Sequence, residues 1–509
     1  MMSSGRGDEL SGAGDFELNL QRSILAVPLI EEIDNANLTI HDVILELNLK
    51  YRGRSGVDSA RRKAVRLVRD IVQKLAYETS ETPLGVKGKS QFAHQHVFAR
   101  LSKAQLRILA TKLESAVDRP VFRIWPDAEV LGQLNESIRT VKADAAMNAF
   151  GARGRGICWA VIDSGIDGAH RHFRKHNNLA LNLPLRHVDF TGDDVRVLQA
   201  DERPTDPNGH GTHVAGILAG EWPDSDREAV LVLPVRPAGL VEPHGAQGGT
   251  DHVVKHLRSI SGVAPECRLV SLRALDEHNR GTVSNIIAAL GYVDKMNRSA
   301  QWPLIHGVNL SVGYPFKAEW FACGQSPLCT EVNRLVRSGT PVVTAAGNSG
   351  YGNLLLPGNR TFPSGLPLSI NDPGNAELAI TVGATHREHP HTYGVSYFSS
   401  KGPTGDGRPK PDLVAPGERI VSCAAGRKGA EMSAHLASGT CDYREESGTS
   451  MAAPHVSGAL AGFLSIRREF IGEPERLKAI LLGTCTDLGR ERSFQGNGLL
   501  DLMRAIQSV

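Results

Sequence analysis

The run Ile157-Cys-Trp-Ala-Val-Ile162, which ends at Asp163-Ser-Gly165, decides the fold class. An unbroken apolar run of this length is typical of a strand that is buried on both faces of a parallel sheet. Because polar residues follow at once, Asp163 is predicted to lie at the carboxyl end of that strand. Binding and catalytic groups collect at this end of a parallel sheet.

Similar apolar runs recur along the rest of the chain, with helical patterns between several of them. The strand-like runs are 269–272, 307–310, 341–346 and 379–382, and the helical patterns are 283–296 and 330–337. This alternation predicts an α/β domain whose mainly parallel sheet is covered by helices on both sides. Asn348 is a second polar residue just beyond one of the predicted strands.

A smaller α/β unit is predicted before this domain. Its pattern is strand, helix, strand, helix, strand, over residues 41–49, 58–75, 96–101, 102–117 and 121–125. Ser102 has the sequence position of a helix N-cap. We expect a small α/β sandwich over residues 40–134 with both helices on one face of its sheet, preceded by an N-terminal tail over residues 1–39.

Charge excludes several classes of protein. The chain of 509 residues has 57 Lys and Arg against 55 Asp and Glu, a net charge of +2. This balance does not favour nucleic-acid binding or a polybasic membrane contact. One basic cluster, predicted to be a solvated helix face, comprises Arg61, Arg62, Lys63, Arg66 and Arg69.

Targeting signals and cysteines give two further expectations. Residues 1–20 lack the apolar stretch of a secretory signal, and no run approaches the length of a membrane span, so we expect a cytoplasmic protein with no membrane contact. The seven cysteines are scattered and odd in number, which favours free thiols. A single bridge between Cys323 and Cys329 under oxidising conditions stays open.

Three segments contain the residue types needed to activate a serine. They are 161–167, which holds Asp163, 208–216, which holds His210, and 447–458, which holds Ser450. A serine hydroxyl is a weak nucleophile at neutral pH, so a base must take its proton as it attacks. Histidine suits that role, and a buried carboxylate fixes the tautomer of its ring.

Negative charge that develops on a carbonyl oxygen also needs donors. Asn348 is predicted to offer its side-chain amide, and Ser450 its backbone N–H at the start of a helix. A purely structural role remains the alternative for single residues. Asp163 could be a strand-end cap, Asp167 a turn cap, and His213 and His455 packed side chains. A metal site at His210 and His213 fails for want of a third ligand at persuasive spacing.

The three segments, in the order Asp, His, Ser, resemble those of the subtilisin family of serine peptidases. The resemblance extends to further motifs at 262–265, 309–313, 345–348, 398–403, 410–417 and 496–501. It implies a subtilisin-like three-layer domain over residues 135–509 and a serine endopeptidase that works through an acyl-enzyme without a required cofactor. Many family members bind calcium in a loop before the 262–265 motif, but the local stretch His256–Ser261 does not carry that pattern. Calcium binding at other loops that contain Asp or Asn stays open.

The resemblance also implies how substrate binds. Ser311-Val312-Gly313 would be an edge strand that pairs with an extended protein or peptide substrate, and Ala345-Ala346-Gly347 would line the other side of the pocket. Small residues there leave room for a large apolar side chain. Residues 365–376 are longer than the family pattern and are expected to shape the pocket edge.

The N-terminal α/β unit resembles the family's propeptide. Such a domain ends in a strand that enters the substrate cleft, so we expect self-cleavage near Leu134-Asn135, with Leu134 in the first pocket and Leu131 in the fourth. The segment 221–261 is longer than the family pattern and is a candidate site for a regulatory partner.

Two rival hypotheses stay open. In the first, the protein is a catalytically silent scaffold whose cleft only binds a partner. In the second, it is an enzyme used on one specific cellular partner instead of general turnover. A fluorophosphonate probe separates the first rival from an enzyme, because it labels only an activated serine.

Overall fold

The computed structural model describes residues 24–26, 29–30, 33, 40–49, 51, 56–74, 84–116, 118–127, 129–132, 137–222, 229–234, 252–257, 259–316, 322–356, 360–436 and 439–509. Two compact units divide the chain, Met1–Ala128 and Glu129–Val509. The first unit therefore ends shortly before the boundary at residue 134 that the sequence predicts.

The N-terminal unit contains the three predicted strands and two predicted helices. Its elements are β1 (Ile40–Leu47), α1 (Gly56–Lys74), β2 (Gly85–Val86), β3 (His96–Ser102), α2 (Lys103–Glu114) and β4 (Val121–Pro126). The strands form an antiparallel sheet in the order β2-β3-β1-β4, of which only the two-residue β2 was not predicted. Ser102 caps α2 as predicted, since its hydroxyl accepts from the Gln105 N–H and its own N–H donates to the Gln105 side chain.

One face of this sheet packs on both helices. Alternate residues of the strands share a buried core with the apolar faces of the helices: Val43, Leu45, Val97, Ala99, Ala64, Val68, Leu106 and Leu109. Part of the predicted tail also belongs to this core. Ile24, Leu25, Leu29 and Ile33 are buried in it, and the Ala26 N–H donates to the Ile124 carbonyl at 2.9 Å. These four apolar side chains therefore pack in the core, whereas residues 1–23 lie outside the described residues.

The basic cluster on α1 is largely solvated, with one exception. Arg62, Lys63, Arg66 and Arg69 are exposed, as the sequence predicts. Arg61 is half-buried and donates to the carbonyls of Ser90, Ala93 and His94. Its guanidinium offers several donors in a fixed geometry, so Arg61 links α1 to the segment from Ser90 to His94 by hydrogen bonds.

The second unit alternates helices and strands. Its helices are α3 (Ala143–Phe150), α4 (His210–Leu218), α5 (Val283–Arg298), α6 (Pro327–Arg337), α7 (Pro390–Tyr393), α8 (Gly426–Ser433), α9 (Thr449–Ile466), α10 (Pro474–Thr484), α11 (Arg492–Gln495) and α12 (Leu502–Gln507). Its strands are β5 (Glu129–Gly132), β6 (Cys158–Asp163), β7 (Val188–Asp189), β8 (Arg196–Val197), β9 (Glu221–Trp222), β10 (Ala229–Pro234), β11 (His252–Leu257), β12 (Ile260–Ser261), β13 (Arg268–Arg273), β14 (Arg280–Thr282), β15 (Gly307–Leu310), β16 (Val312–Gly313), β17 (Val342–Ala345), β18 (Tyr351–Leu356), β19 (Arg360–Gly365), β20 (Ile380–His386), β21 (Leu413–Glu418), β22 (Ile420–Cys423) and β23 (Tyr443–Glu446).

An eight-stranded sheet forms the centre of this unit, in the order β21-β20-β17-β15-β6-β13-β7-β8. All pairs are parallel except β7 with β8. Every residue of β6, β15 and β17 is buried, so both faces of the sheet are covered. The five predicted strands are confirmed, and β7, β8 and β21 are additional.

The long helix α9 packs across the sheet on β21, β20, β17 and β15, and also on α4. Its residues from Thr449 to Leu464 are all buried. A helix that is apolar all round is typical of such a central position. Helix α4 begins at His210, and Ser450 is the second residue of α9.

Smaller sheets surround the central one. β5 lies between β14 and β16 in an antiparallel sheet, and the segment 221–261 contributes β10 and β11 to a sheet of order β11-β10-β23-β22. Residues 235–251 of that segment lie outside the described residues. Strands β18 and β19 form a separate hairpin.

All seven cysteines lie within described ranges and are free thiols, including Cys323 and Cys329. Six of them are buried, and burial raises the pKa of the Cys158 thiol to about 12.

In the described parts of the chain, none of the helices combines the length and the apolar character that crossing a bilayer requires.

Candidate active site

Asp163 and His210 meet where β6 ends and α4 begins. The His210 Nδ1–H donates to Asp163 Oδ1 at 2.5 Å, and the Ser164 N–H donates to the same oxygen at 2.7 Å. Both side chains are fully buried. A carboxylate that accepts from Nδ1 fixes the neutral ring in the tautomer whose Nε2 is the basic nitrogen. The structure thus places the two predicted residues in direct contact.

A second buried carboxylate, Asp206, supports the start of α4. Its Oδ1 accepts from the Ser164 hydroxyl and from the N–H groups of Asn208 and Gly209 at 2.8–3.2 Å. Its Oδ2 accepts from the N–H and the hydroxyl of Thr212 at 2.8 and 2.6 Å. Asp206 thus satisfies N–H groups that the first turn of a helix leaves without partners.

Sequence reasoning missed Asp206. Its position four residues before the first residue of α4 is the signal that could have found it, because acidic side chains are favoured ahead of a helix N-terminus.

Two glycines let the start of α4 lie very close to neighbouring backbone. Gly209 has φ of 98°, and a Cβ there would lie 2.0 Å from the Ala425 carbonyl oxygen; a Cβ at Gly211 would lie 2.1 Å from the Gly165 carbonyl oxygen.

Ser450 is held by neutral groups. Its hydroxyl donates to the Ser311 carbonyl at 2.9 Å, and the Ser311 hydroxyl donates back to the Ser450 carbonyl at 2.6 Å. The Asn309 amide donates to the Ser311 hydroxyl at 2.9 Å, and Ser457 donates to the Asn309 side-chain oxygen at 2.8 Å. A chain of hydrogen bonds therefore runs from the middle of α9, through β15, back to Ser450.

The expected line of proton transfer from Ser450 to His210 is not made in this conformation. The hydroxyl can donate one hydrogen bond, and it donates that bond to the Ser311 carbonyl. A hydroxyl on a rotatable side chain can exchange one acceptor for another by turning about χ1. The structure thus differs from the sequence-based expectation in the direction of one hydroxyl.

Asn348 lies beyond the end of β17, as predicted. Its side-chain oxygen accepts from the N–H and the hydroxyl of Thr449 at 2.9 and 3.0 Å. The Thr449 hydroxyl also accepts from the Gly347 N–H at 3.1 Å. With its oxygen committed to Thr449, Asn348 has its NH2 group as the end that can donate to another molecule.

The predicted edge strand pairs with a segment of this chain. Val312 pairs with Gly132 and Gly313 with Leu131, so β16 holds β5 in an extended conformation. The other edge of β5 pairs with β14, Arg280 lying opposite Leu131. The predicted cleavage site, Leu134-Asn135, lies outside the described residues.

The segment after Gly365 contacts Ala345-Ala346-Gly347, the residues predicted to line the pocket. The Asn371 N–H donates to the Ala346 carbonyl at 2.9 Å. A Cβ at Gly347, where φ is 104°, would lie 2.6 Å from the Asn371 side chain. An amide therefore lies beside residues that the sequence expected to leave room for a large apolar group. Asn371 is a second residue that sequence reasoning missed.

Three nearby residues have the purely structural roles that the sequence analysis left open. His213 is buried, its Nε2 lies 3.3 Å from the Arg444 carbonyl oxygen, and burial holds the pKa of its ring well below the usual value. His455 is buried on α9, and burial lowers its pKa to about 4. Asp167 accepts from the Ala169 N–H at 2.8 Å and caps a turn.

A buried charge cluster beside His213 was not predicted. Arg444 pairs with Glu446, and Lys428 Nζ lies 3.4 Å from the same carboxylate. Burial lowers the pKa of Arg444 to about 9 and holds that of Lys428 well below its usual value. All three side chains lie on α8 or β23, the two elements that precede Ser450 in the chain.

The described residues contain no group of three or more His, Cys, Asp and Glu side chains suited to a metal ion. In the stretch 256–261, where many family members bind calcium, Ile260 and Ser261 pair with Trp222 and Glu221 as strand β12.

Comparison with known proteins decides the family. The sequence model described as "Subtilase family" matches residues 154–498, more than half of the chain. The chain belongs to the subtilase family. This subtilase is 29% identical over 377 residues to the major intracellular serine protease of Bacillus subtilis (strain 168), covering 73% of this chain and 89% of that protein.

Two other relatives agree. The intracellular serine protease of Paenibacillus polymyxa is 28% identical over 387 residues, which cover 75% of this chain and 89% of the relative. Subtilisin E of Bacillus subtilis (strain 168) is 27% identical over 370 residues, which cover 73% and 70%. The subtilase is thus a serine-type endopeptidase that acts on proteins, and the predictions of family, three-layer α/β fold and enzyme class are confirmed.

Proposed function

We propose that Asp163, His210 and Ser450 form the catalytic triad of this endopeptidase and that Asn348 stabilises the oxyanion. The observation that carries the proposal is the 2.5 Å hydrogen bond between the buried Asp163 carboxylate and His210 Nδ1. Ser450 supports it by its position in the first turn of α9, the helix that packs on α4.

The reaction begins when the Ser450 hydroxyl turns from the Ser311 carbonyl to His210 Nε2. Its oxygen attacks the carbonyl carbon of the scissile peptide bond as the proton passes to Nε2. The tetrahedral intermediate collapses when the C–N bond breaks and His210 returns that proton to the leaving amine. The resulting acyl-enzyme ester is hydrolysed by water, from which His210 again takes a proton.

Two donors face the developing oxyanion in this proposal. One is the Asn348 NH2 group, whose orientation is fixed by Thr449, and the other is the Ser450 N–H. The N-terminus of the 18-residue α9 adds its positive dipole end. Donors that are fixed before the reaction stabilise the charge without reorganising.

We further propose that substrates bind as extended strands between β14 and β16. The pairing of β5 with both edges supports this, because a segment of the chain itself adopts that arrangement. The N-terminal unit would then be a propeptide that is cut near Leu134-Asn135. Ala345, Ala346 and Gly347 line the pocket for the residue before the cut, next to Asn371.

The test compares wild-type protein with the Ser450→Ala variant. Wild type is expected to react with a fluorophosphonate probe and to show a new amino terminus near Asn135 by mass spectrometry, and the variant is expected to show neither. Ser465→Ala, at the other end of α9, is the matched control and is expected to keep both. Labelling that persists in Ser450→Ala would overturn the assignment of the nucleophile, and lack of labelling in wild type would favour a silent scaffold.

We propose the cytoplasm as the site of action, and the segment 221–261 as the place where a regulator binds. Two relatives are named intracellular serine proteases, which supports the first proposal. The second is supported by the sheet in which β10 and β11 join β23, the strand that leads to Ser450. Cell fractionation tests the first, and a shift in peptidase rate after replacing residues 235–251 with a short Gly-Ser linker tests the second.

A further inference from the structure

A hairpin begins at Tyr351, three residues after Asn348. We call the two strands β18 and β19 the hairpin arm; they pair antiparallel from Tyr351 with Gly365 to Leu356 with Arg360. Within the described residues it pairs with no third strand. An isolated two-stranded hairpin is marginally stable in water, and it normally gains stability from what it contacts.

The arm exposes apolar side chains on one of its faces. Leu354 and Phe362 are directly opposite each other in the pairing, and they are 44% and 58% exposed. The Leu368 side chain, three residues beyond the arm, is 56% exposed. Single exposed apolar residues need no explanation, but an exposed cross-strand apolar pair on a two-stranded hairpin is a surface suited to contact.

Charge indicates what kind of partner this surface suits. From Tyr351 to Ile370 the sequence contains one charged residue, Arg360. Protein surfaces usually carry about one charged residue in three or four. A partner of this stretch is therefore recognised by apolar contact and by hydrogen bonds, not by charge.

The base of the arm is continuous with the substrate cleft. The Leu366 N–H donates to the Gly350 carbonyl at 2.9 Å, which closes the arm directly after Asn348 and Ser349. The returning chain then bonds to both sides of the cleft: Asn371 to Ala346, and Asp372 to Tyr314, the residue after β16. The arm is therefore continuous in the chain with residues that bond to both predicted sides of the cleft.

We propose that the hairpin arm is an exosite that binds an extended apolar segment of the protein substrate outside the residues held in the cleft. The proposal rests on the endopeptidase function and adds a contact that short peptides cannot reach. It assigns Leu354 and Phe362 a role in binding and none in the chemical step.

The experiment compares two substrates, a chromogenic tetrapeptide and β-casein, an unfolded apolar protein. For the Leu354→Ser/Phe362→Ser variant we expect kcat/KM on casein to fall about tenfold, mainly through KM, because apolar contact surface is lost. We expect kcat/KM on the tetrapeptide to stay within about twofold of wild type. Trp302→Ser is the matched control, since Trp302 is 75% exposed and lies in the loop before β15, at the opposite end of the sheet from Asn348.

The outcomes are distinct. Equal losses on both substrates, or no loss on casein, would overturn the exosite. If light scattering shows that wild type is a dimer and the variant a monomer, the surface belongs to a second copy of this chain and the proposal fails. Failure of wild type to cleave either substrate would instead contradict the endopeptidase function. The single variants Leu354→Gln and Phe362→Gln provide the same comparison if the double variant does not fold.

Discussion

The two sides of the candidate active site are built from different chemistry. On the imidazole side, the buried carboxylates of Asp163 and Asp206 together accept seven hydrogen bonds, five of them at Asp206. On the hydroxyl side, Ser450 and Asn348 are held by hydroxyls, amides and backbone carbonyls. The imidazole side is charged and the hydroxyl side is neutral.

The difference follows from what each side must do. In the proposed mechanism the imidazole becomes a cation, so a fixed negative charge beside it stabilises the state that forms. The hydroxyl side must instead stabilise a developing negative charge, which a neighbouring carboxylate would oppose. The charged side should therefore be more sensitive to loss of a single group, because hydrogen bonds to charged groups are stronger and donors left buried are costly.

The largest expected effect is on turnover. Asp163→Asn should lower kcat about 10⁴-fold, because an amide can favour the tautomer with the proton on the wrong ring nitrogen. Asn348→Ala should cost about 10²- to 10³-fold, the size already known for loss of this type of donor in the subtilisin family. Steady-state kinetics on one tetrapeptide measures both.

Asp167→Asn is the control for this comparison. It is the same Asp-to-Asn substitution, at a half-buried turn cap outside the proposed triad. Its kcat should stay within about threefold of wild type. If Asn348→Ala costs more than Asp163→Asn, the charged side is not the more sensitive one.

The next effect is on stability. Asp206→Asn should destabilise the fold by about 3 kcal/mol, because one of its two acceptor positions becomes an NH2 group facing the donors of Thr212. Urea unfolding of the Ser450→Ala background, in which self-digestion is absent, measures it. Asp201→Asn, an exposed carboxylate in the same loop, should change stability by less than about 0.5 kcal/mol. Equal values for the two variants would contradict a structural role for Asp206.

Sequence reasoning found the parts of this molecule that have a local signal. The strands of the central sheet are continuous apolar runs, and Asp163, His210 and Ser450 lie in short motifs. β8, by contrast, comprises two exposed residues, Arg196 and Val197, which no hydrophobic pattern marks. The expected tail over residues 1–39 includes the region 24–33, whose apolar residues are interrupted by Pro28 and two glutamates, although several of them are buried.

The supporting hydrogen bonds could not be predicted for a different reason. Ser164 and Asp206 are 42 residues apart, and Ser457 and Asn309 are 148 apart. Polar pairs at such separations leave no periodicity in a single sequence, and their contact depends on how the sheet and helices pack. The same is true of the Ser450 hydroxyl, whose choice between two acceptors depends on side-chain rotation.

A pH-dependent effect is expected on the hydroxyl side. His455 accepts from the Ser137 N–H at 2.7 Å, and burial lowers its pKa from 6.5 to about 4. A lowered pKa means that the unfolded chain binds the proton more tightly, so this stability is present above pH 6.5 and is lost as the pH falls toward 4. Between pH 8 and pH 5 the loss should be about 2 kcal/mol.

The His455→Gln variant tests this in the same Ser450→Ala background, since glutamine does not titrate and its side-chain oxygen can still accept from Ser137. Its free energy of unfolding should fall by about 2 kcal/mol less than that of the parent between pH 8 and pH 5. His278→Gln, at a side chain that is 63% exposed, should leave the parent's pH dependence unchanged. Identical pH dependence in all three proteins would show that His455 does not contribute.

The smallest effect is expected at the far end of the neutral chain of hydrogen bonds. Ser457→Ala removes the donor to Asn309 and should cost about 1 kcal/mol of stability, the usual size for a neutral hydrogen bond. Because Asn309 orients the Ser311 hydroxyl that holds the Ser450 carbonyl, kcat should also fall a few-fold, with KM unchanged. A double-mutant cycle with Asn309→Ala separates a connected chain from two independent contacts: the two losses in kcat should be less than additive, since either substitution already releases Ser311. Strict additivity would mean that Ser457 stabilises α9 without acting on Ser450, and the neutral side would then be held only by the groups in direct contact with Ser450 and Asn348.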